Sequence, residues 1–214
     1  MKCLLVGSTG LIGNHLLDEL INDSNFTEIT VLVRKKIEIS NKKLKQIIFD
    51  FDNIENYINL GKFDIVFSCL GTTIKIAKSK DNFKKVDLQY PLNIAKNVKT
   101  KQFFIVSSMG ANIKSLIFYT KIKGELEEEL KKLNFATLCI FRPSQLKGKR
   151  KEFRKNEIYS IKLMKIFNFF IPNKYKAIEG LTVAKAMKTK AIENKNGTFT
   201  FLSDEIKHIA TNEN

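Results

Sequence analysis

The sequence predicts an α/β fold, a doubly wound and mostly parallel sheet with a small C-terminal lobe. Three observations carry this. Strand-like and helix-like runs alternate along the chain. The strand-like runs are apolar throughout rather than alternating, as strands covered on both faces require. A glycine-rich turn joins the first strand to the first helix.

Residues 2–6 are an apolar run that stops at Gly7. Residues 11–21 carry apolar side chains at Leu11, Ile12, Leu16, Leu17, Leu20 and Ile21, which is a helical stripe. Residues 28–33 form the second strand, 45–50 the third, and 53–60 a short helix. The fourth strand, 63–70, ends at Gly71. Residues 81–98 read as one long helix in which Pro91 marks a kink. The fifth strand is 101–107, a second long helix is 114–133, and the sixth strand is 135–141, ending at Arg142-Pro143. Beyond Ser144 come a basic loop at 147–155, an aromatic-rich segment at 161–172, a helix near 181–193 and a strand at 198–202. No linker, repeat or low-complexity segment interrupts this order. One domain over residues 1–214 is expected, with about 144–214 forming the small lobe.

Composition narrows the function classes. Of 214 residues, 43% are hydrophobic and 28% charged, the balance of a soluble globular chain. No run approaches the roughly 18 apolar residues of a membrane span. The apolar start after Lys2 is broken at once by Gly7, Ser8, Thr9 and Gly10, too early for a secretory signal, so a cytoplasmic protein is expected. The net charge of +15 invites a nucleic-acid reading. Its lysines are spread along the whole chain, and its only arginines are Arg34, Arg142, Arg150 and Arg154, so no dedicated nucleic-acid function is expected. Cys3, Cys69 and Cys139 each lie in an apolar strand-like run, which favours reduced thiols. With only His15 and His208 as imidazoles and no metal-ligand spacing, no metal is expected.

The turn Gly7-Ser8-Thr9-Gly10-Leu11-Ile12-Gly13 sits between a strand and a helix. Glycines there allow a tight turn, a close approach to a pyrophosphate and close helix–strand packing. The helix N-terminus then offers free N–H groups and the positive end of its dipole. This is a Rossmann-type dinucleotide site in its strand-then-helix context. The second strand ends Val33-Arg34-Lys35-Lys36, with no acid to hold ribose hydroxyls. Arg34 can clamp a 2′-phosphate through paired N–H bonds, which favours NADP(H) over NAD(H).

Tyr119 and Lys123 stand four apart on a helix and share one face. A lysine ammonium beside a phenol stabilises the phenolate, which makes the phenol a usable acid or base. Of the five tyrosines only Tyr119 has lysine at that spacing. Ser107 and Ser108 close the preceding strand, where a hydroxyl can bond the same substrate oxygen.

These residues resemble the short-chain dehydrogenase/reductase superfamily, and within it the atypical NADPH-binding branch of the Tat-interacting-protein oxidoreductase type. The resemblance runs through about the first 160 residues. It is carried by Gly7 to Gly13, Val31-Leu-Val-Arg34, Cys69-Leu-Gly-Thr-Thr73, Lys85-Val-Asp87, Val106-Ser-Ser-Met-Gly-Ala111, Tyr119-x-x-x-Lys123-Gly-Glu and Phe141-Arg-Pro143. Gly148, Arg150, Glu152, Arg154 and Glu157 continue it. The resemblance implies that Gly7, Ser8, Thr9, Gly10, Leu11 and Ile12 wrap the pyrophosphate. It implies that Arg34 with Lys35 holds the 2′-phosphate, and that Asp50 and Phe51 lie near the adenine. Cys69, Leu70 and Gly71 would line the ribose path. Lys123 would hold the nicotinamide ribose and Tyr119 would be the acid/base. Ser108 matches the catalytic serine, with Ser107 as the alternative, and Pro143, Ser144 and Leu146 would flank the nicotinamide.

Two functions remain open from the sequence. One is an oxidoreductase moving hydride between NADPH and a small carbonyl or alcohol substrate. The other is a non-catalytic NADP(H)-binding regulatory or interaction module. Either is compatible with a monomer or a homodimer. The basic loop reads as a solvated loop or a cover over an acidic substrate. The aromatic segment reads as core, pocket wall or contact surface.

Overall fold

The strand Lys2–Val6 (β1) lies at the centre of the sheet because every side chain after Lys2 is buried. The structure is a computed structural model and describes residues 1–58, 60–147, 172 and 175–212. Helix α1 (Leu11–Asn22) returns over one face, burying Ile12, Leu16, Leu17 and Leu20. Strands β2 (Glu28–Val33) and β3 (Leu44–Ile48) follow on one side of β1. The chain then crosses back to place β4 (Ile65–Ser68), β5 (Gln102–Val106) and β6 (Thr137–Arg142) on the other side. The order is β3-β2-β1-β4-β5-β6 plus a seventh, late strand, Gly197–Leu202, and every pairing is parallel. This is the doubly wound sheet that the alternation of runs predicts.

Two apolar layers cover the sheet. One holds α1 and the C-terminal helix Gly180–Glu193 against Leu5, Val31, Phe67 and Phe141. The other holds the helices before β5 and before β6 against Leu4, Val66, Phe103 and Ile140. Successive residues of β1, β4, β5 and β6 feed opposite layers, which is why these central strands show no polar face, whereas the late strand exposes Thr198 and Thr200. The late strand extends the main sheet beside β6, and its preceding helix packs on α1.

Three expected helices differ in detail. After a short helix α2 (Ile74–Ala77), the run 81–98 is helical, but as α3 (Lys80–Lys84), a π-helical stretch Lys85–Gln89, and α4 (Tyr90–Asn97). Pro91 has no N–H for the carbonyl of Asp87, four residues back, and the turn before it opens so that Tyr90 N–H reaches Lys85 O. The expected helix 114–133 begins only at Phe118, giving α5 (Phe118–Lys131). Before it, Asn112 and Ser115 hold the chain in turns. The expected helix 53–60 is a single 3-10 turn, Ile54–Tyr57, capped by Asn53.

Candidate functional site

The parallel sheet changes direction between β1 and β4, where a crevice opens beyond the carboxyl ends of the strands. Register aligns Val6 with Leu32 on one side and with Ser68 on the other, so Gly7 and Cys69 meet there. Gly7 has φ +81°, and a Cβ built on it would stand 2.6 Å from the carbonyl carbon of Cys69. A Cβ on Gly13 would stand 2.1 Å from Gly7 O. No larger residue fits either position without moving backbone. The helix that follows, α1, has Gly10 at its N-cap and no side chain bonding to its first N–H groups. Those groups face the turn, as an anion site needs. Ser8 is buried, and its Oγ has no hydrogen-bond partner.

A cleft of about 370 Å³ adjoins this turn, lined by Gly7, Thr9, Leu32, Val33, Arg34, Lys35, Phe51 and Leu70. Six of these eight were named from the sequence. Arg34 and Lys35 are exposed at its lip. Phe51 is held on Phe49 and Tyr90, with ring centres 4.9 and 5.4 Å away. Asp50 is not among the residues that line the cleft, and its Oδ1 accepts from Asp52 N at 3.0 Å. Ile12 places its side chain in the core, so only its backbone faces the turn. Burial pushes the Cys69 thiol up to about 12, which keeps it protonated.

Farther along the same edge, α5 presents Tyr119, Lys123 and Glu127 on one stripe. Tyr119 is half-buried against the Phe83 ring, 5.4 Å between centres. Lys123 is buried, with its Nζ 2.7 Å from Asp87 Oδ1. Asp87 comes from the π-helical stretch, and its Oδ2 accepts from Thr72 N at 2.9 Å. Gly71 lies over the pair: a Cβ there would be 3.5 Å from Asp87 Oδ1 and 3.8 Å from Lys123 Nζ. Burial lowers the proton affinity of Lys123, but Asp87, with Tyr119 and Glu127, more than offsets this and raises it above the ordinary lysine value.

The two serines at the end of β5 differ in their partners. Ser107 Oγ donates to Glu127 Oε1, whereas the buried Oγ of Ser108 has no partner. The loop after Ser108 folds back along α5, with Asn112 N bonded to Thr120 O at 3.0 Å. Gly124 permits this, since a Cβ there would lie 2.4 Å from the Asn112 carbonyl carbon. The connection from Ser108 to Tyr119 is therefore short and drawn tight against the helix.

Pro143 is buried at the end of β6. Ser144 Oγ donates to Lys176 O at 2.5 Å and its N–H to Ser203 Oγ at 2.7 Å, so this residue fastens the C-terminal segments. Leu146 pairs with Ile178 and packs on the core. The basic loop and the aromatic segment fall largely on 148–171, outside the described residues. Among the described residues no three His, Cys, Asp or Glu side chains gather as metal ligands, and no helix is long and apolar enough to cross a membrane. Sequence reasoning did not assign Asp87, Glu127 or Arg142 to the site. Glu127 continues the stripe of Tyr119 and Lys123 four residues on, a signal that was available. Asp87 was marked only within the motif Lys85-Val-Asp87 and given no role, because only the fold brings it to Lys123.

The sheet order, the glycine turn at the crevice and the stripe on α5 together define a Rossmann-type chain with the short-chain dehydrogenase/reductase fold. The HIM1 family matches residues 18–175, and the chain belongs to that family. It is 31% identical over 216 residues to Protein HTATIP2 of Rattus norvegicus, covering 96% of this chain and 87% of that protein. It is 34% identical over 160 residues to Protein FMP52, mitochondrial, of Candida albicans, covering 71% and 70%. It is 35% identical over 164 residues to Protein fmp52, mitochondrial, of Emericella nidulans, covering 72% and 70%. In fold it is similar to the UDP-glucose 4-epimerase of Thermotoga maritima, with TM-score 0.70 and 17% identity over 100% of this chain and 84% of that one. It is also similar to the oxidoreductase ylbE of Lactococcus lactis, with TM-score 0.67 and 20% identity over 100% and 96%. The resemblance drawn from the motifs therefore holds.

One expectation is overturned. The cytoplasmic assignment does not stand, because fungal relatives at 33–35% identity are named as mitochondrial proteins. Reduced thiols do not distinguish one reducing compartment from another.

Proposed function

We propose that this chain binds NADP(H) along the carboxyl edge of its sheet and moves hydride between the nicotinamide and a small carbonyl or alcohol substrate. The observation that carries this is the meeting of three groups on one edge: the half-buried Tyr119, the charged and buried Lys123, and the partnerless hydroxyl of Ser108. The cradle fits the cofactor. Gly7 and Gly13 leave backbone-tight space, the N–H groups of α1 face it, and the Ser8 hydroxyl is buried with no other partner. Arg34 and Lys35 sit at the lip of the cleft, with no carboxylate at the end of β2 to repel a 2′-phosphate. Phe51 offers a face to the adenine, and residues from about 144 onward supply the substrate side.

The bound cofactor supplies or accepts the hydride. Lys123 holds the ribose hydroxyls and keeps a positive charge beside Tyr119. Tyr119 Oη passes a proton to or from the substrate oxygen, and Ser108 Oγ donates a hydrogen bond that orients this oxygen. Tyr119→Phe tests the reading: turnover of a carbonyl panel should fall by about 10²-fold or more while NADPH affinity is kept.

A second reading, cofactor binding without turnover, draws on one observation. The Lys123 ammonium is already neutralised by Asp87 at 2.7 Å, which weakens its pull on the Tyr119 proton. Wild-type protein that binds NADPH tightly and reduces no member of the panel would favour it.

A further inference from the structure

The chemistry above leaves one buried carboxylate unused. Glu127 is 1% exposed, and it continues the stripe of Tyr119 and Lys123. Its oxygens are held from both neighbouring strands. Ser107 Oγ, at the end of β5, donates to Oε1. Arg142, the last residue of β6, donates from Nε to Oε1 at 3.0 Å and to Oε2 at 3.2 Å, and from Nη2 to Oε2. An arginine fork on a carboxylate fixes direction as well as distance.

Each of these three residues leads directly to one assigned to the site. Ser107 precedes Ser108, Arg142 precedes Pro143, and Glu127 lies one turn beyond Lys123. The two strand ends are also joined, by Ser107 N to Phe141 O at 2.7 Å and Met109 N to Pro143 O at 3.0 Å. A buried ion pair is a poor device for stability alone, since apolar side chains of similar volume do as well or better. What it provides is one fixed geometry, and here that geometry joins the three elements that carry the site.

We infer that Glu127 is a positioning residue. Acting through Ser107 and Arg142, it sets Ser108 and Pro143 against Lys123 and Tyr119. By engaging the Ser107 hydroxyl, it leaves Ser108 as the serine that meets the substrate oxygen. The inference rests on the function proposed above.

The test uses the full chain with Ser107→Ala, Ser108→Ala, Glu127→Gln and the double variant Ser107→Ala/Glu127→Gln. In Glu127→Gln, NADPH affinity and KM should stay within about threefold while kcat falls at least about tenfold, because misplacement of a reacting group acts on the chemical step. Ser108→Ala should lose about a hundredfold, and Ser107→Ala clearly less. Adding Ser107→Ala to Glu127→Gln should cost less than the two single losses combined, because both act on one linked set of contacts. A Ser107→Ala variant as impaired as Ser108→Ala, or a Glu127→Gln variant with unchanged kcat, overturns the inference. If the wild type binds NADPH without turnover, the emission of bound NADPH replaces kcat as the readout. Glu127→Gln should then change that emission at unchanged affinity, and identical emission overturns the inference. If NADPH does not bind at all, the cofactor reading fails first, and Glu127 has no site to position.

Discussion

Lys123 and Asp87 form an ion pair of 2.7 Å whose side chains are 4% and 0% exposed. One partner is on α5 and the other in the π-helical stretch ahead of Pro91, so the pair joins the two helices that cover one face of the sheet. Removing one partner leaves a charge buried without its counterion. Asp87→Ala should therefore lose about 3–5 kcal/mol of stability, measured by urea unfolding. Asp87→Asn keeps the shape and the contact to Thr72, and should lose less. If Asp87→Ala unfolds at the wild-type urea midpoint, the pair does not hold the helices together.

The same pair sets an alkaline limit. Lys123 has its proton affinity raised in the folded state, so its contribution is full below the unfolded value of about 10.4 and is lost as pH rises through the native one. Wild-type stability should therefore keep this contribution up to about pH 10 and lose it above, a loss that Asp87→Asn, already without the ion pair, should not show. An alkaline loss of the same size in Asp87→Asn would mean that some other group controls it.

Gly7 is fixed by contact as well as by its φ of +81°. A methyl group at 2.6 Å from the Cys69 carbonyl must push β1 and β4 apart at the mouth of the crevice. Gly7→Ala should cost about 1–3 kcal/mol of stability and abolish measurable NADPH binding. Normal affinity in this variant would show that the pyrophosphate does not use this turn.

Gly124 makes an equivalent contact between α5 and the loop after Ser108. Its Cβ would meet the Asn112 carbonyl carbon at 2.4 Å, so Gly124→Ala must lift the loop that follows Ser108 off α5. NADPH affinity should be retained, since the cleft near Arg34 is remote in the chain from this loop. Substrate KM and kcat should both change, and loss of cofactor affinity instead would argue against the assigned division of the edge.

Much of this was legible in the sequence, and for physical reasons. A strand buried on both faces has to be apolar throughout, and a turn that admits a pyrophosphate has to be glycine, so the sheet and the turn are written locally. Tyr119 and Lys123 were readable because helical spacing alone puts them on one face. Asp87 was not readable. Its distance from Lys123 in the chain is large, and its placement depends on the π-helical stretch ahead of Pro91. Nor could the sequence show that Ser107 pairs with Glu127 while the buried Ser108 hydroxyl has no partner, because only the fold brings Glu127 to that strand end.

The central claim is NADP(H) binding at Arg34, and a fluorescence titration with NADPH and NADH tests it most directly. The chain has no tryptophan, so the rise in reduced-nicotinamide emission is read against a low background. NADPH should bind at least about tenfold more tightly than NADH, and Arg34→Ala should erase that preference, as loss of charge-assisted hydrogen bonds to a phosphate implies. Equal affinity for the two, or a preference that survives Arg34→Ala, contradicts the assigned 2′-phosphate site, and failure to bind either contradicts the account as a whole.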